Sequence, residues 1–478
     1  MQPRSWVLLL WGCFVLRGAF YACAIPLWEG FDEYAHFARI DHLARHGTEP
    51  ARDTPFSPAL LASLARVPAH EIGGSYDAFW RGDPPPPLRD VRNYEAQQPP
   101  LFYWFCAALM RWFGAGSIAL RLVCVSMASA AVPLTFLLAR HVLGSAGAAV
   151  GATALVALLP LFTYTATHIA NDAPSIALGS AVALLAVQGA GMGLGVALGA
   201  ALLTKGYFLA FLPGVAMMLL WPRTRRNGAI ALGVATLIAG WWYAQNWLTT
   251  GSLTGNLVLV RPGAASMLTA LPSFPLWQCA DFAWTTFIWT GNWSFLPVRG
   301  WMYRVVGLFA LAALAGVAVL VWRTRRQDVL LLVTLAAGFA AAILYFGLAS
   351  FTAGIGAGSH GWYACCVAVP VAVLAWLGLP RYATGALAVS LCSIELFGLH
   401  VYALPYYTGL IAREPGGKLP AYRLGRLADG EFQTMFERLR LEKPEWLGSG
   451  VLIGLWVLFL LATFVAAVGA LRAPGAAK

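Results

Sequence analysis

Long apolar runs fill this chain, and its polar residues gather in the connectors between them instead of alternating along each run. A helix needs ~17–25 predominantly apolar residues to cross a bilayer. Stretches of that kind recur throughout and predict crossings at about 6–26, 118–140, 145–165, 173–188, 190–203, 206–221, 228–248, 301–322, 328–350, 361–380, 382–403 and 449–471. The pattern implies an all-α polytopic membrane protein with about 12 transmembrane helices, within a range of 11–13, forming a single integral-membrane domain over residues 1–478. The N-terminal run is too long for a secretory signal and carries Arg17, so it reads as a retained first span. One apolar segment is assigned differently. QPPLFYWFCAALMRWFGAG, 98–116, opens on Pro99-Pro100 and carries Arg111 and several aromatics, which suits a helix lying in the membrane interface.

The polar connectors set the sides. RTRR occurs at 223–226 and again at 323–326, and Arg4, Arg140, Arg381, Arg472 and Lys478 also sit at span ends. By the positive-inside rule these face the cytoplasm, as do both termini. Of the 21 acids, eleven fall within residues 27–98 and six within 404–447. The expected external segments are therefore a long first loop, 27–117, with juxtamembrane helices, an aromatic loop, 249–300, and a charged loop, 404–448. Pro84–Pro87 is a stiff spacer inside the first of these.

Composition narrows the function classes. Charged residues make up 11% of the chain, against about 25% in soluble domains. The net charge of +11 resides in the cytoplasmic connectors, so nucleic acid is not an expected partner. Eight cysteines, mostly in apolar runs, form neither a zinc spacing nor a disulfide framework.

Candidate chemistry lies where the chain leaves the hydrocarbon. In EGFDEYAHFARI, 29–40, Asp32 and Glu33 are adjacent, and His36 shares a helical face with Asp32. Three readings stay open here: a carboxylate interacting with a helix start, a general base, or oxygen ligands for a hard divalent cation. Asn171 and Asp172 precede Pro174, which suits a helix's first turn. Lys205, in LLTKGYF, should either meet an anion or snorkel. His360 opens a span at GSHGWYACC, and the tryptophans at 277, 284, 289 and 293 serve either as an interfacial belt or as sugar-stacking surfaces. Arg17 and Glu395 are charges within spans.

These stretches together resemble the GT-C superfamily of integral-membrane glycosyltransferases, which includes protein O-mannosyltransferases and lipid A aminoarabinose transferases. The similarity rests on Pro26…Asp32-Glu33…His36, on Gln98-Pro99-Pro100-Leu101-Phe102-Tyr103, on Asn171-Asp172, and on Thr204-Lys205, in that order. It continues through Trp241-Trp242-Tyr243 and His360-Gly361-Trp362-Tyr363, spanning roughly residues 1–380. The resemblance implies a GT-C fold and inverting transfer of a sugar from a polyprenyl-phosphate donor to a hydroxyl of a glycan, lipid or protein acceptor. It assigns Asp32 as base with Glu33 beside it, and Asp172, with Asn171 and His36, to positioning of acceptor or metal. Lys205, Gln98, Arg261 and His360 become the lipid-phosphate candidates. No cofactor is specified; a divalent cation, Mg or Mn, would use Asp32 and Asp172. The implied location is a bacterial inner membrane, with the active site toward the periplasm. Aminoarabinose transferases carry lysine where this chain has Gln98, and bacterial relatives carry arginine where it has Trp362. Arg261, Arg299 and His360 are the substitutes this leaves for leaving-group charge. The rival classes are a transporter or lipid-linked-sugar flippase, which would show inverted repeats and midplane charges, and a noncatalytic glycan-binding scaffold. No local motif encodes the sugar or the acceptor.

Overall fold

The computed structural model describes residues 2–68, 74–84, 93–255 and 263–473, and their regular secondary structure is helical. Among the described residues, seven helical stretches are long and apolar enough to cross a membrane: Pro3–Ala24, Ser117–Leu143, Gly300–Thr324, Gln327–Thr352, Gly361–Gly378, Arg381–Tyr407 and Ser449–Arg472. Shorter apolar helices at Ala146–Ala157, Asp172–Gln188, Gly191–Leu202 and Gly206–Leu220 fill the region between Leu143 and Trp221. A 26-residue helix, Arg225–Thr250, follows them. Each expected crossing thus falls on helix. The chain is an integral-membrane protein with the expected all-α architecture.

Glycine explains one of the tightest helix pairs. A Cβ on Gly195 would lie 2.6 Å from Val234 Cβ, and one on Gly199 would lie 2.7 Å from Ile238 Cβ. The Gly191–Leu202 helix can therefore approach Arg225–Thr250 at backbone distance, the small-residue packing that association in lipid favours. The two intramembrane charges meet. Arg17 reaches both oxygens of Glu395 at 2.5 Å, and the Tyr21 hydroxyl donates to Glu395 at 3.0 Å. That pair ties the first helix to Arg381–Phe397 deep in the core.

Within the 27–117 stretch lie helices Glu33–His46, Pro58–Leu64, Tyr76–Arg81 and Leu101–Phe113. The last is amphipathic. Phe102, Tyr103, Cys106 and Ala107 are buried, while Trp104, Phe105, Trp112 and Phe113 are exposed. Its buried side packs on Glu33–His46. The eight cysteines are all free, Cys279 among the buried ones.

Candidate active site

The adjacent carboxylates point to different surroundings. Asp32 takes a left-handed conformation, φ 53° and ψ 15°, at the start of the Glu33–His46 helix, and its side chain does not cap that helix. Its carbonyl accepts from the Ala35 and His36 amides, so the backbone starts the helix while the carboxylate turns aside. There Oδ1 accepts a hydrogen bond from the Tyr94 hydroxyl at 2.8 Å, and the side chain stays half-exposed. A left-handed aspartate is uncommon and held at some cost, a feature concentrated at functional sites.

Glu33 is fully buried. Its oxygens take a bidentate pair from Arg121, at 2.6 Å to Nε and 2.6 Å to Nη2. The amides of Trp28 and Ile169 also donate to it, at 3.1 and 3.2 Å. Burial raises its pKa, but the Arg121 charge and hydrogen bonds outweigh that and hold it below the usual carboxylate range. Arg121 donates further to the carbonyls of Ile25 and Pro26, each at 2.8 Å. Glu33 thus has no open oxygen for a substrate; it pins the 25–33 turn to the 169 loop and thereby positions Asp32. The 30 position has no room for a side chain, because a Cβ there would lie 2.6 Å from His168 Cγ.

The second and third motifs join at Lys205. Its ammonium pairs with Asp172 Oδ2, the Tyr207 hydroxyl reaches Oδ1 at 3.3 Å, and both charged side chains are nearly buried. Lys205 also sits 5.2 Å from the Tyr207 ring centre and 5.4 Å from that of Tyr363. Asn171 donates to Gln98 Oε1 at 3.3 Å and to the Thr204 carbonyl at 3.0 Å. The Pro-Pro turn, the 171–172 pair and the 204–205 pair therefore form one cluster.

His36 and Glu95 join that cluster to the first loop. His36 Nδ1 lies 2.7 Å from the Tyr103 hydroxyl and 3.8 Å from Glu95 Oε2. Burial, reinforced by Lys205 and Arg39, lowers the His36 pKa well below its ordinary value, so the ring is neutral. Burial, then the negative charge of Asp32, pushes Glu95 up to about 8, against the opposing pull of Lys205 and Arg39. Glu95 is therefore protonated at neutral pH. Arg39 closes the frame, donating to the carbonyls of Glu95 at 3.0 Å and Gln98 at 2.7 Å.

His360 reaches the site through rings. It stacks on Trp362 with centroids 3.9 Å apart, and Trp362 stacks on Phe31, next to Asp32, at 3.6 Å. Burial lowers its pKa to about 4, so it brings no positive charge to a phosphate. Arg261 lies outside the described residues. Among the described residues, no three His, Cys, Asp or Glu side chains converge to hold a metal ion. Glu33 is committed to Arg121 and Asp172 to Lys205, so this donor set does not fit a resident Mg or Mn.

Sequence reading missed Arg121 and Glu95. Arg121 carried a usable signal, being an arginine inside an expected span, as Arg17 was. Glu95 carried none, because nothing local distinguishes it from ten other acids in the same loop.

A family profile, Dolichyl-phosphate-mannose-protein mannosyltransferase, matches residues 97–242, the segment containing the Pro-Pro turn, Asp172 and Lys205. ArnT from Cupriavidus metallidurans in the apo state superposes with a TM-score of 0.51 at 17% identity, covering 98% of this chain and 78% of that one. ArnT from the same organism bound to undecaprenyl phosphate superposes at 0.50 and 15% identity, covering 98% and 76%. A search of curated protein sequences gives no match. The fold is that of GT-C-type membrane glycosyltransferases.

Proposed function

We propose, from the premise that this chain is a membrane glycosyltransferase of the GT-C type, that it moves a sugar from a polyprenyl-phosphate donor to an acceptor hydroxyl on the external face, using Asp32 as general base. One observation carries the reading. Residues 32, 36, 95–98, 171–172 and 204–205, far apart along the chain, meet around a half-exposed carboxylate on one side and a buried ammonium on the other. That a protein of this fold binds undecaprenyl phosphate supports the choice of donor.

The chemistry follows from the two ends of the cluster. Asp32 accepts the proton of the acceptor hydroxyl as its oxygen bonds to the sugar's anomeric carbon. The bond from that carbon to the phosphate oxygen breaks, and its electron pair leaves with the phosphate. A single displacement from the opposite face inverts the configuration. Lys205, paired with Asp172 in a nearly dry setting, offers the leaving phosphate a cation that is strongest where water is excluded. Asp172 then acts through Lys205, holding it in place, and Asn171 and Gln98 brace the turn between them. Glu95 stays protonated, so Asp32 does not compete with a second negative charge.

The donor class is tested by the lipid-linked sugars of a deletion strain. The reading expects one polyprenyl-phosphate sugar to accumulate and one surface glycan to lose that residue. An unchanged lipid-linked pool and unchanged glycans would refute it.

A further inference from the structure

A cavity of about 220 Å³ opens where the 294–297 loop meets the 413–419 segment, walled by Phe295, Leu296 and Pro297 on one side and by Arg413, Lys418 and Tyr402 on the other. It is smaller than the ~300 Å³ at which drug-sized pockets begin, so it suits a single ring or a similar group. Its chemistry is mixed. Phe295 and Tyr402 supply aromatic surface, and Phe295 is half-exposed. Among the described residues neither Arg413 nor Lys418 forms an ion pair with a carboxylate. Arg413 is held by the carbonyls of Ser294 at 2.9 Å and Gly417 at 3.1 Å, while Lys418 is exposed at the rim. Arg299, two residues past Pro297, lies over the Phe397 ring, which is edge-on to Tyr402.

The backbone around this cavity is strained. Phe295 takes φ 45°, a left-handed conformation that a bulky aromatic rarely adopts, and Asn292 takes φ 57°. Behind them the Thr290 hydroxyl is buried without a partner. Strain and an unmet polar group together mark a loop shaped for something other than its own stability. The loop is also wired to the reaction centre. Glu29, three residues before Asp32, accepts from the Ser294 amide at 2.8 Å, and the Ser294 carbonyl in turn accepts from Arg413. On its other side the Phe295 ring faces Trp293 at 5.6 Å and the His360–Trp362 stack at 6.4 Å.

We propose that this cavity is a subsite for an anionic sugar of the acceptor glycan, a ring bearing a phosphate or a carboxylate. The aromatic walls take the ring's apolar face, and Arg413 and Lys418 take the anion. This assignment rests on the glycosyltransferase reading for its role, but the binding itself can be measured without turnover.

Calorimetric titration of the purified full chain in detergent tests it, using glucose 6-phosphate, glucuronate, glucose and inorganic phosphate as probes. At least one anionic sugar should bind, and the tighter of the two identifies the preferred anion. Glucose and inorganic phosphate should each bind at least about tenfold more weakly than that sugar, as expected when a charged hydrogen bond or the ring contact is missing. Lys418→Glu should weaken the anionic sugar by about tenfold or more, and Lys418→Arg should preserve it. Lys418 is at the surface, so neither substitution threatens the fold. Glucose binding as tightly as its anionic counterparts, phosphate binding as tightly as the phosphosugar, no binding by any probe, or an indifferent Lys418→Glu would each overturn the proposal. Asp32→Asn should retain this binding. A chain that binds anionic sugars but transfers nothing would keep the subsite while refuting the transferase reading.

Discussion

At the residue scale, neighbours in sequence have opposite duties. Asp32 and Glu33 look alike in the sequence, yet one is half-exposed to a polar cluster and the other is sealed against Arg121. Removing one partner of a buried pair strands the other charge, at a cost on the order of 3–5 kcal/mol. Glu33→Gln should therefore lower the melting temperature of the purified protein sharply, whereas Asp32→Asn should barely move it. Glu29 gives a second residue-level prediction. Burial raises its pKa from 4.5 to about 7, against hydrogen bonds from Ser294 and Tyr76. Between those two pH values the folded chain keeps a proton that the unfolded chain releases, so this group makes stability fall as pH rises from about 4.5 to about 7. Glu29→Gln removes that loss. Its melting temperature relative to the parent should rise from pH 5 to pH 8, by an amount equivalent to roughly 3 kcal/mol; a gap independent of pH would contradict the buried-acid account. The sequence revealed Asp32 and Lys205 because both sit where a chain enters or leaves hydrocarbon. Tyr94 beside Asp32 and Glu95 beside His36 were illegible, since they become special only once the first loop folds over the bundle.

At the element scale, helix contacts follow from a few side-chain volumes. Gly199→Ala would place a methyl 2.7 Å from Ile238 Cβ, whereas Gly193→Ala would meet nothing closer than Leu185 Cδ2 at 3.7 Å. The first should destabilise by about 1–3 kcal/mol through overpacking, and the second should be neutral, both read by thermal melting in the same detergent. Apolar periodicity located the long helices well, because a membrane span is a strong length signal. It could not foresee that 118–140 breaks near Ala130 into Ser117–Ser129 and Ala131–Leu143, or that the 382–403 stretch passes through a π-helical turn at Gly398–Ala403. Apolar periodicity ignores the residues responsible: Pro133 has no N–H to give the Ser129 carbonyl where the first helix ends, and Pro405 has none to give the Val401 carbonyl within the π-helical turn. The proline start, arginine and aromatics of 98–116 predict a non-crossing interfacial helix, and the segment folds as the amphipathic helix Leu101–Phe113.

For the whole molecule, the account depends on distant segments sharing one end of the bundle. The Ile169 amide on Glu33 and the Asn171 side chain on Gln98 already bring the 168–172 turn to the first loop. In a cysteine-free background, an impermeant thiol reagent should label cysteines placed at Thr48 and Ser252 from one side of the membrane, and one at Arg225 only from the other. Labelling Thr48 and Ser252 from opposite sides would break the topology. The most direct test of the central claim is turnover per folded molecule in Asp32→Asn, measured with a polyprenyl-phosphate-linked sugar in reconstituted membranes. The account predicts a loss of about 10²–10⁴-fold, with donor binding and melting temperature retained; turnover equal to the parent's would contradict it.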